Sequence, residues 1–124
     1  MIRTELTLQL PNSPGALAAV ARALANQHVD IVALSLDARG ALRLVVDNHV
    51  AARGVLTAER HQVSSREVLL VELPPRTGAL APILTLLSDA GVNIEYAYAG
   101  GTAASPVVVF GVDDPLRAAA ASGI

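Results

Sequence analysis

Cysteine is absent from this 124-residue chain, which removes disulfides, thiol catalysis, zinc knuckles and soft-metal sites together. Lysine is absent as well, and every one of the nine basic residues is Arg. In so alanine-rich a chain, that bias reads as G+C-rich coding rather than as a functional use of guanidinium groups. Aromatic residues make up only 2% of the chain, so its core must be built from Leu, Val, Ile and Ala. With Tyr96, Tyr98 and Phe110 as the whole aromatic supply, no base-stacking platform of the RNA-recognition kind is expected. The formal net charge of −2 provides no field for phosphate backbones or anionic lipid. No apolar run approaches the length of a membrane span, and Glu5 interrupts the N-terminus where a signal peptide needs unbroken apolar residues. Nucleic acid and membrane are therefore not expected partners, and the cytoplasm is the expected location.

What is present is a repeat. Sliding the sequence by 63 positions places Leu10-Pro11-Asn12-Ser13-Pro14-Gly15-Ala16-Leu17-Ala18 over Leu73-Pro74-Pro75-Arg76-Thr77-Gly78-Ala79-Leu80-Ala81, with six of nine residues identical. The register continues through Leu24 over Leu87, Val29 over Val92 and Ile31 over Ile94. After a slip of three residues it resumes at Val46-Asp47 over Val112-Asp113.

The hydrophobic period changes in the same order within each copy. Leu6, Leu8 and Leu10 alternate with polar residues, as a strand with one buried face does. Ser13-Pro14-Gly15 then predicts a helix with Ser13 as N-cap and Pro14 at its first position, carrying the stripe Leu17, Val20, Ala21 and Leu24. The second copy repeats the stripe at Leu80, Ile83, Leu84 and Leu87, but Pro82 predicts an irregular helix start. Val29–Leu36 and Leu42–Val46 read as strands joined at Asp37-Ala38-Arg39-Gly40, with Val92–Ala99 and Val107–Val112 as counterparts around a loop containing Gly100-Gly101. Asn48 and Asp114-Pro115 each predict a capped second helix. A fourth strand is expected near His61–Ser65, leading into Glu67–Leu73.

The expected class is thus α+β, with two ferredoxin-like βαββαβ modules in tandem, antiparallel sheets and helices on one face. The modules are placed at 1–65 and 66–124, the second lacking its last strand because the sequence stops at Ile124. Neither half is large enough to be expected to stand well alone. In the second copy, Leu69 and Val71 share the facing of Leu73, which leaves Val68 and Leu70 on the opposite side. An exposed apolar face there, and a first strand without an edge partner, predict a homodimer through Val68 and Leu70.

Catalytic chemistry finds little support. His28, His49 and His61 share no motif, and no short metal-ligand spacing occurs. Asp113-Asp114 is accounted for by a helix cap rather than a cation site. The serines at 13, 35, 64, 65, 88, 105 and 122 lack a nucleophile-elbow context, and Gly100-Gly101 does not lie between a strand and a helix as a phosphate cradle would. No cofactor, no metal and no enzymatic activity are expected. The informative feature is Asn12-Ser13-Pro14-Gly15. A helix N-terminus offers unpaired N–H donors, and Gly lets a ligand approach the backbone, so the turn suits a carboxylate. The same residues are also sufficient simply to start a helix.

The turn Asn12-Ser13-Pro14-Gly15, an amphipathic helix and the strand opening Gly91-Val92-Asn93-Ile94 together resemble the ACT domain family, and the duplication resembles its small tandem members. That resemblance implies regulatory binding of amino acids between the first turn of one module and the second strand of its neighbour. Each copy retains half of the pattern: the first has His28-Val29-Asp30-Ile31 at the strand opening, the second Pro75-Arg76-Thr77-Gly78 at the turn. The resemblance thus implies one principal site formed by Asn12, Ser13, Pro14, Gly15 and Ala16 with Asn93, Ile94 and Glu95. Arg76, Thr77 and Gly78 with Asp30, Ile31 and Val32 would make a degenerate second site. Other users of similar sheets fit less well. An acylphosphatase needs an anion loop with a catalytic Arg and Asn, for which Arg76 alone is thin support, and a copper chaperone needs a Cys pair. The competing expectation is a ligand-free module that docks on another protein.

Overall fold

The same strand and helix order is written twice along the chain. The computed structural model describes residues 1–123. It contains β1 (Ile2–Gln9), α1 (Ala16–Asn26), β2 (Ile31–Leu36), β3 (Ala41–Val46), α2 (His49–Ala58), β4 (Ser64–Glu72), α3 (Leu80–Asp89), β5 (Ile94–Gly101), β6 (Pro106–Val112) and α4 (Pro115–Ser122). The fold is α+β, with tandem ferredoxin-like modules. One compact unit spans Thr4–Arg66, and the other joins Met1–Arg3 to the chain from Glu67 onward. The expected stop at Ile124 lies outside the described residues. Among the described residues no helix is long and apolar enough to cross a membrane.

In the first module β3 is the central strand. It pairs antiparallel with β1 through Leu6↔Leu44 and Leu8↔Leu42, and with β2 through Leu34↔Leu44 and Leu36↔Leu42. The period-2 pattern puts Leu6, Leu8, Leu42, Leu44 and Val46 on one face, where they pack with Val20 and Leu24 of α1 and with Ala52 and Leu56 of α2. Burial of each such aliphatic side chain contributes roughly 1.5–3 kcal/mol. Asn48 caps α2 as its sequence implies, its Oδ1 accepting from the Ala51 N–H at 3.0 Å.

The second module repeats the plan around β6, which pairs antiparallel with β4 through Leu69↔Phe110 and Val71↔Val108, and with β5 through Ala97↔Phe110 and Tyr98↔Val109. Leu69, Val71, Val108, Phe110 and Val112 pack with Leu87 of α3 and Ala118 of α4. Asp114 caps α4 by accepting from the Arg117 N–H at 3.0 Å. The irregular start of α3 is also present, and the repeat explains it. In α1 the Ala19 N–H donates to Gly15 O at 2.9 Å, but the aligned residue is Pro82, which has no N–H to give. The helix accordingly begins at Leu80, one residue late in the 63-residue register, behind an Ala79 that makes no side-chain cap.

Three expectations are corrected. Val68 and Leu70 are 0% and 3% exposed, so they offer no apolar surface to a second copy. The backbone of β4 is not a bare edge at that point either: the Leu70 N–H donates to Met1 O at 2.8 Å and the Met1 ammonium donates to Leu70 O at 3.0 Å. Pairing between residues 69 apart is a tertiary event that local alternation does not reveal. Partial burial pushes the Met1 ammonium below the usual amine pKa. Finally, Gly100-Gly101 end β5 rather than lie in the loop, and the reversal is made by Thr102–Ser105, closed by Thr102 N–H to Ser105 O at 3.2 Å and Ser105 N–H to Thr102 O at 3.1 Å.

Truncating the second core should register strongly: Phe110→Ala is expected to lower unfolding free energy by about 3–5 kcal/mol. Leu116→Ala, at a side chain 73% exposed, should change it by less than about 0.5 kcal/mol. Urea denaturation with an unchanged m-value checks both.

Candidate functional site

The strand-to-helix turn of the first module is anchored before it begins. Leu10 donates its N–H to Gly40 O at 2.8 Å, tying the end of β1 to the β2–β3 hairpin. Gly40 has φ +83°, and a Cβ there would overlap the Leu10 carbonyl oxygen, so only Gly permits this approach. Asp37 shapes the hairpin from the other side: its Oδ1 accepts from the Arg39 N–H at 2.9 Å and the Ala41 N–H at 3.1 Å. The Gln9 side-chain amide also donates to Arg39 O.

Beyond Leu10 the chain tightens into a three-residue turn, with the Ser13 N–H on Pro11 O at 2.9 Å. Gly15 then takes φ +85°, with nothing within 4 Å of where a Cβ would stand. Here the expected cap is corrected. Ser13 is not the N-cap and Pro14 is not the first helical residue; α1 starts at Ala16 behind Gly15, with no side-chain cap. A left-handed residue cannot belong to a right-handed helix, so Gly15 holds Ser13 and Pro14 outside it. The Ala16 N–H reaches Ser13 O at 3.4 Å. Among the described residues the N–H groups of Gly15, Leu17 and Ala18 have no acceptor, and the side chains of Asn12 and Ser13 make no hydrogen bond.

These groups border a cavity of about 230 Å³. Leu10, Pro11, Asn12, Ser13 and Gly15 form one side, Ala16, Leu17 and Ala18 the first turn of α1, and Leu36, Asp37, Ala38 and Gly40 the hairpin wall. Asn12, Ser13, Gly15 and Ala16 are thus brought together at one cavity, whereas Pro14 is not part of its lining. The hairpin wall was not foreseen, because Asp37-Ala38-Arg39-Gly40 reads locally as a turn and nothing more. The signal that could have found it is the Gly at position 40, whose need for a close backbone approach points to a neighbour.

Asn93, Ile94 and Glu95 open β5 in the second module. The Asn93 N–H donates to Asp113 Oδ1 at 3.0 Å, and the Asp113 N–H returns to Asn93 O at 3.2 Å. The Asn93 main chain is therefore engaged internally. Ile94 packs on the second core and Glu95 is exposed. The first module has the same brace, Asp30 N–H to Asp47 Oδ1 at 3.0 Å and Asp47 N–H to Asp30 O at 3.1 Å, which is why Val-Asp recurs at the end of each third strand. In both modules the ladder then shifts register, between Ile31 and Ala33 and between Ile94 and Tyr96, so each opening is followed by a bulge-like change of facing.

Of the degenerate set, Arg76 donates its N–H to Pro74 O at 2.8 Å, repeating the Ser13 turn, while Gly78 has φ +82° as Gly15 does. Thr77 is exposed and Val32 half-buried; Ile31 packs on the first core. Asp30 borders a second, more open cavity of about 450 Å³ with His28, Ala21 and Ala25. His28 follows α1 with φ 57° where the second module has Gly91 at φ 71°. His49 opens α2, and His61 follows it with its N–H on Leu56 O at 3.0 Å. Among the described residues no three His, Asp or Glu side chains converge as a metal site would require.

A family model described as an ACT domain pair matches residues 1–121. A sequence comparison with curated proteins found no match. Among solved structures, a protein from Bacteroides thetaiotaomicron superposes with a TM-score of 0.87 at 28% identity, covering 98% of this chain and 86% of that one. The ligand-free regulatory subunit of aspartate kinase from Thermus thermophilus superposes at 0.71 with 17% identity, covering 99% and 92%. Aspartokinase III of E. coli in complex with lysine and aspartate superposes at 0.64 with 19% identity, covering 98% of this chain and 29% of that one.

Two strand openings yield a paired prediction. Asp47→Ala and Asp113→Ala should each lower stability by about 1.5–3 kcal/mol, the range for a hydrogen bond to a charged group. Relief of left-handed strain makes His28→Gly stabilising by about 1 kcal/mol, while Gly91→Ala should lose a similar amount. Chemical denaturation of the four variants checks the signs.

Proposed function

Because the chain belongs to the ACT domain pair family, we propose that it is a non-catalytic regulatory protein that binds a small molecule, an amino acid, at the Asn12–Ala16 turn. One observation carries the reading: the unpaired N–H groups of Gly15, Leu17 and Ala18 and the unpaired side chains of Asn12 and Ser13 border a single cavity. Such donors at the positive end of a helix suit a carboxylate, while the Asn12 amide adds both a donor and an acceptor. The cavity lies below the roughly 300 Å³ at which drug-sized pockets begin, which fits an occupant of amino-acid size. Its lining holds one carboxylate, Asp37, whose Oδ1 is committed to two backbone N–H groups, and no nucleophile paired with a base. The regulatory subunit of aspartate kinase and the lysine- and aspartate-bound aspartokinase III share the fold, and we extend amino-acid binding from the latter to this chain.

A second reading, a module that docks on another protein, is favoured by Val50 and Leu116. They occupy equivalent second positions in α2 and α4, with side chains 72% and 73% exposed, so both copies carry an aliphatic group that does nothing for its own core.

Thermal unfolding against the twenty amino acids separates the two. A ligand of the folded state at about a hundredfold over Kd adds roughly 2.7 kcal/mol. A selective rise in Tm, lost in Asn12→Ala, is the expected result. A flat panel at millimolar concentration would leave docking as the function.

A further inference from the structure

We infer that the ligand of the first-module cavity is an amino acid with a short, uncharged aliphatic side chain, of the valine, leucine and isoleucine class; this rests on the reading of that cavity as an amino-acid site. Polar groups of the turn border the cavity, but so do three leucines, one from each of the segments that line it. Leu10 is 4% exposed and forms the floor, Leu17 is half-buried, and Leu36 stands at the end of β2 with 42% of its surface open. An apolar group entering between them removes leucine surface from water at the same time as its own, and the gain grows with each methylene.

Charge argues in the same direction. No Arg or His borders the cavity, and Asp37 is its one ionised side chain. An acidic ligand side chain would meet a like charge with no cation to neutralise it, which disfavours its burial. A lysine ligand would bring two ammonium groups to that single carboxylate, one of whose oxygens already serves the hairpin. An aliphatic amino acid brings one carboxylate for the helix N–H groups, one ammonium for which Asp37 is the available anion, and a side chain that matches the leucines.

Calorimetric titration of the full chain with valine, leucine, isoleucine, glycine, aspartate and lysine tests this. The aliphatic three should bind at least tenfold more tightly than glycine, since a single methylene in an apolar pocket is worth about tenfold or more, and aspartate and lysine should bind no better than glycine. Leu36→Ala, at a side chain too exposed to carry the fold, should weaken leucine binding several-fold and so narrow the preference for leucine over glycine. Preference for aspartate or lysine, or leucine binding indifferent to Leu36→Ala, would overturn the inference while the amino-acid reading stands. Heat from none of the twenty amino acids would overturn that reading, and the inference with it.

Discussion

One main-chain hydrogen bond, from the Leu10 N–H to Gly40 O at 2.8 Å, ties together the two walls of the cavity at the Asn12–Ala16 turn. It fixes the point where β1 ends against the hairpin that follows β2. With that separation set, the Asn12–Gly15 turn and the Leu36–Ala38 segment become opposite walls of one space. The bond exists only because residue 40 lacks a Cβ, for any side chain there would collide with the Leu10 carbonyl oxygen. The second module makes the counterpart with different chemistry: Leu73 donates to Pro106 O at 2.9 Å, so a strand residue replaces the glycine turn.

Local periodicity and capping were sufficient wherever the deciding neighbours lie close in sequence. The Leu6-Leu8-Leu10 facing and the caps at Asn48 and Asp114 all follow from patterns spanning a few residues. The facing of Leu69 and Val71 toward the helices followed from alternation with Leu73. What alternation left open was the backbone pairing of Leu70 with Met1, because it depends on a residue far away in sequence. The cap at Ser13 failed for another reason: Ser-Pro before a helix is a fair start signal, but Gly15 at φ +85° makes a further turn that the pair cannot announce. In the candidate site, the turn residues were legible and the hairpin wall was not, since Leu36 and Asp37 meet the turn through tertiary ties such as the Leu10–Gly40 and Gln9–Arg39 bonds.

The two copies have drifted in complementary ways. The first keeps an unbroken helix start, with the Ala19 N–H on Gly15 O, but carries His28 in a left-handed conformation before its second strand. The second relaxes that position with Gly91 but loses the helix bond to Pro82. Each module therefore tolerates one local defect at a position where its twin has none. The features that did not drift, the aspartate brace and the register shift that follows it, are the ones that set where the second strand begins.

That contrast bears on how the proposed carboxylate site of the first copy would be held. A carboxylate at a helix N-terminus interacts with the N–H groups of the first turn, and its strength depends on their being unpaired, convergent and held. In α1 those groups are carried on a turn closed by Ala19 onto Gly15, which keeps Leu17 and Ala18 in helical geometry beside Gly15. In α3 the aligned closing bond is missing because Pro82 has no N–H to make it. The first module thus holds its unpaired donors on a closed helical turn beside Leu10, Leu17 and Leu36. The second lacks that closing bond and carries Arg76 where the first has Ser13, so a site there would set a guanidinium beside a less firmly held turn.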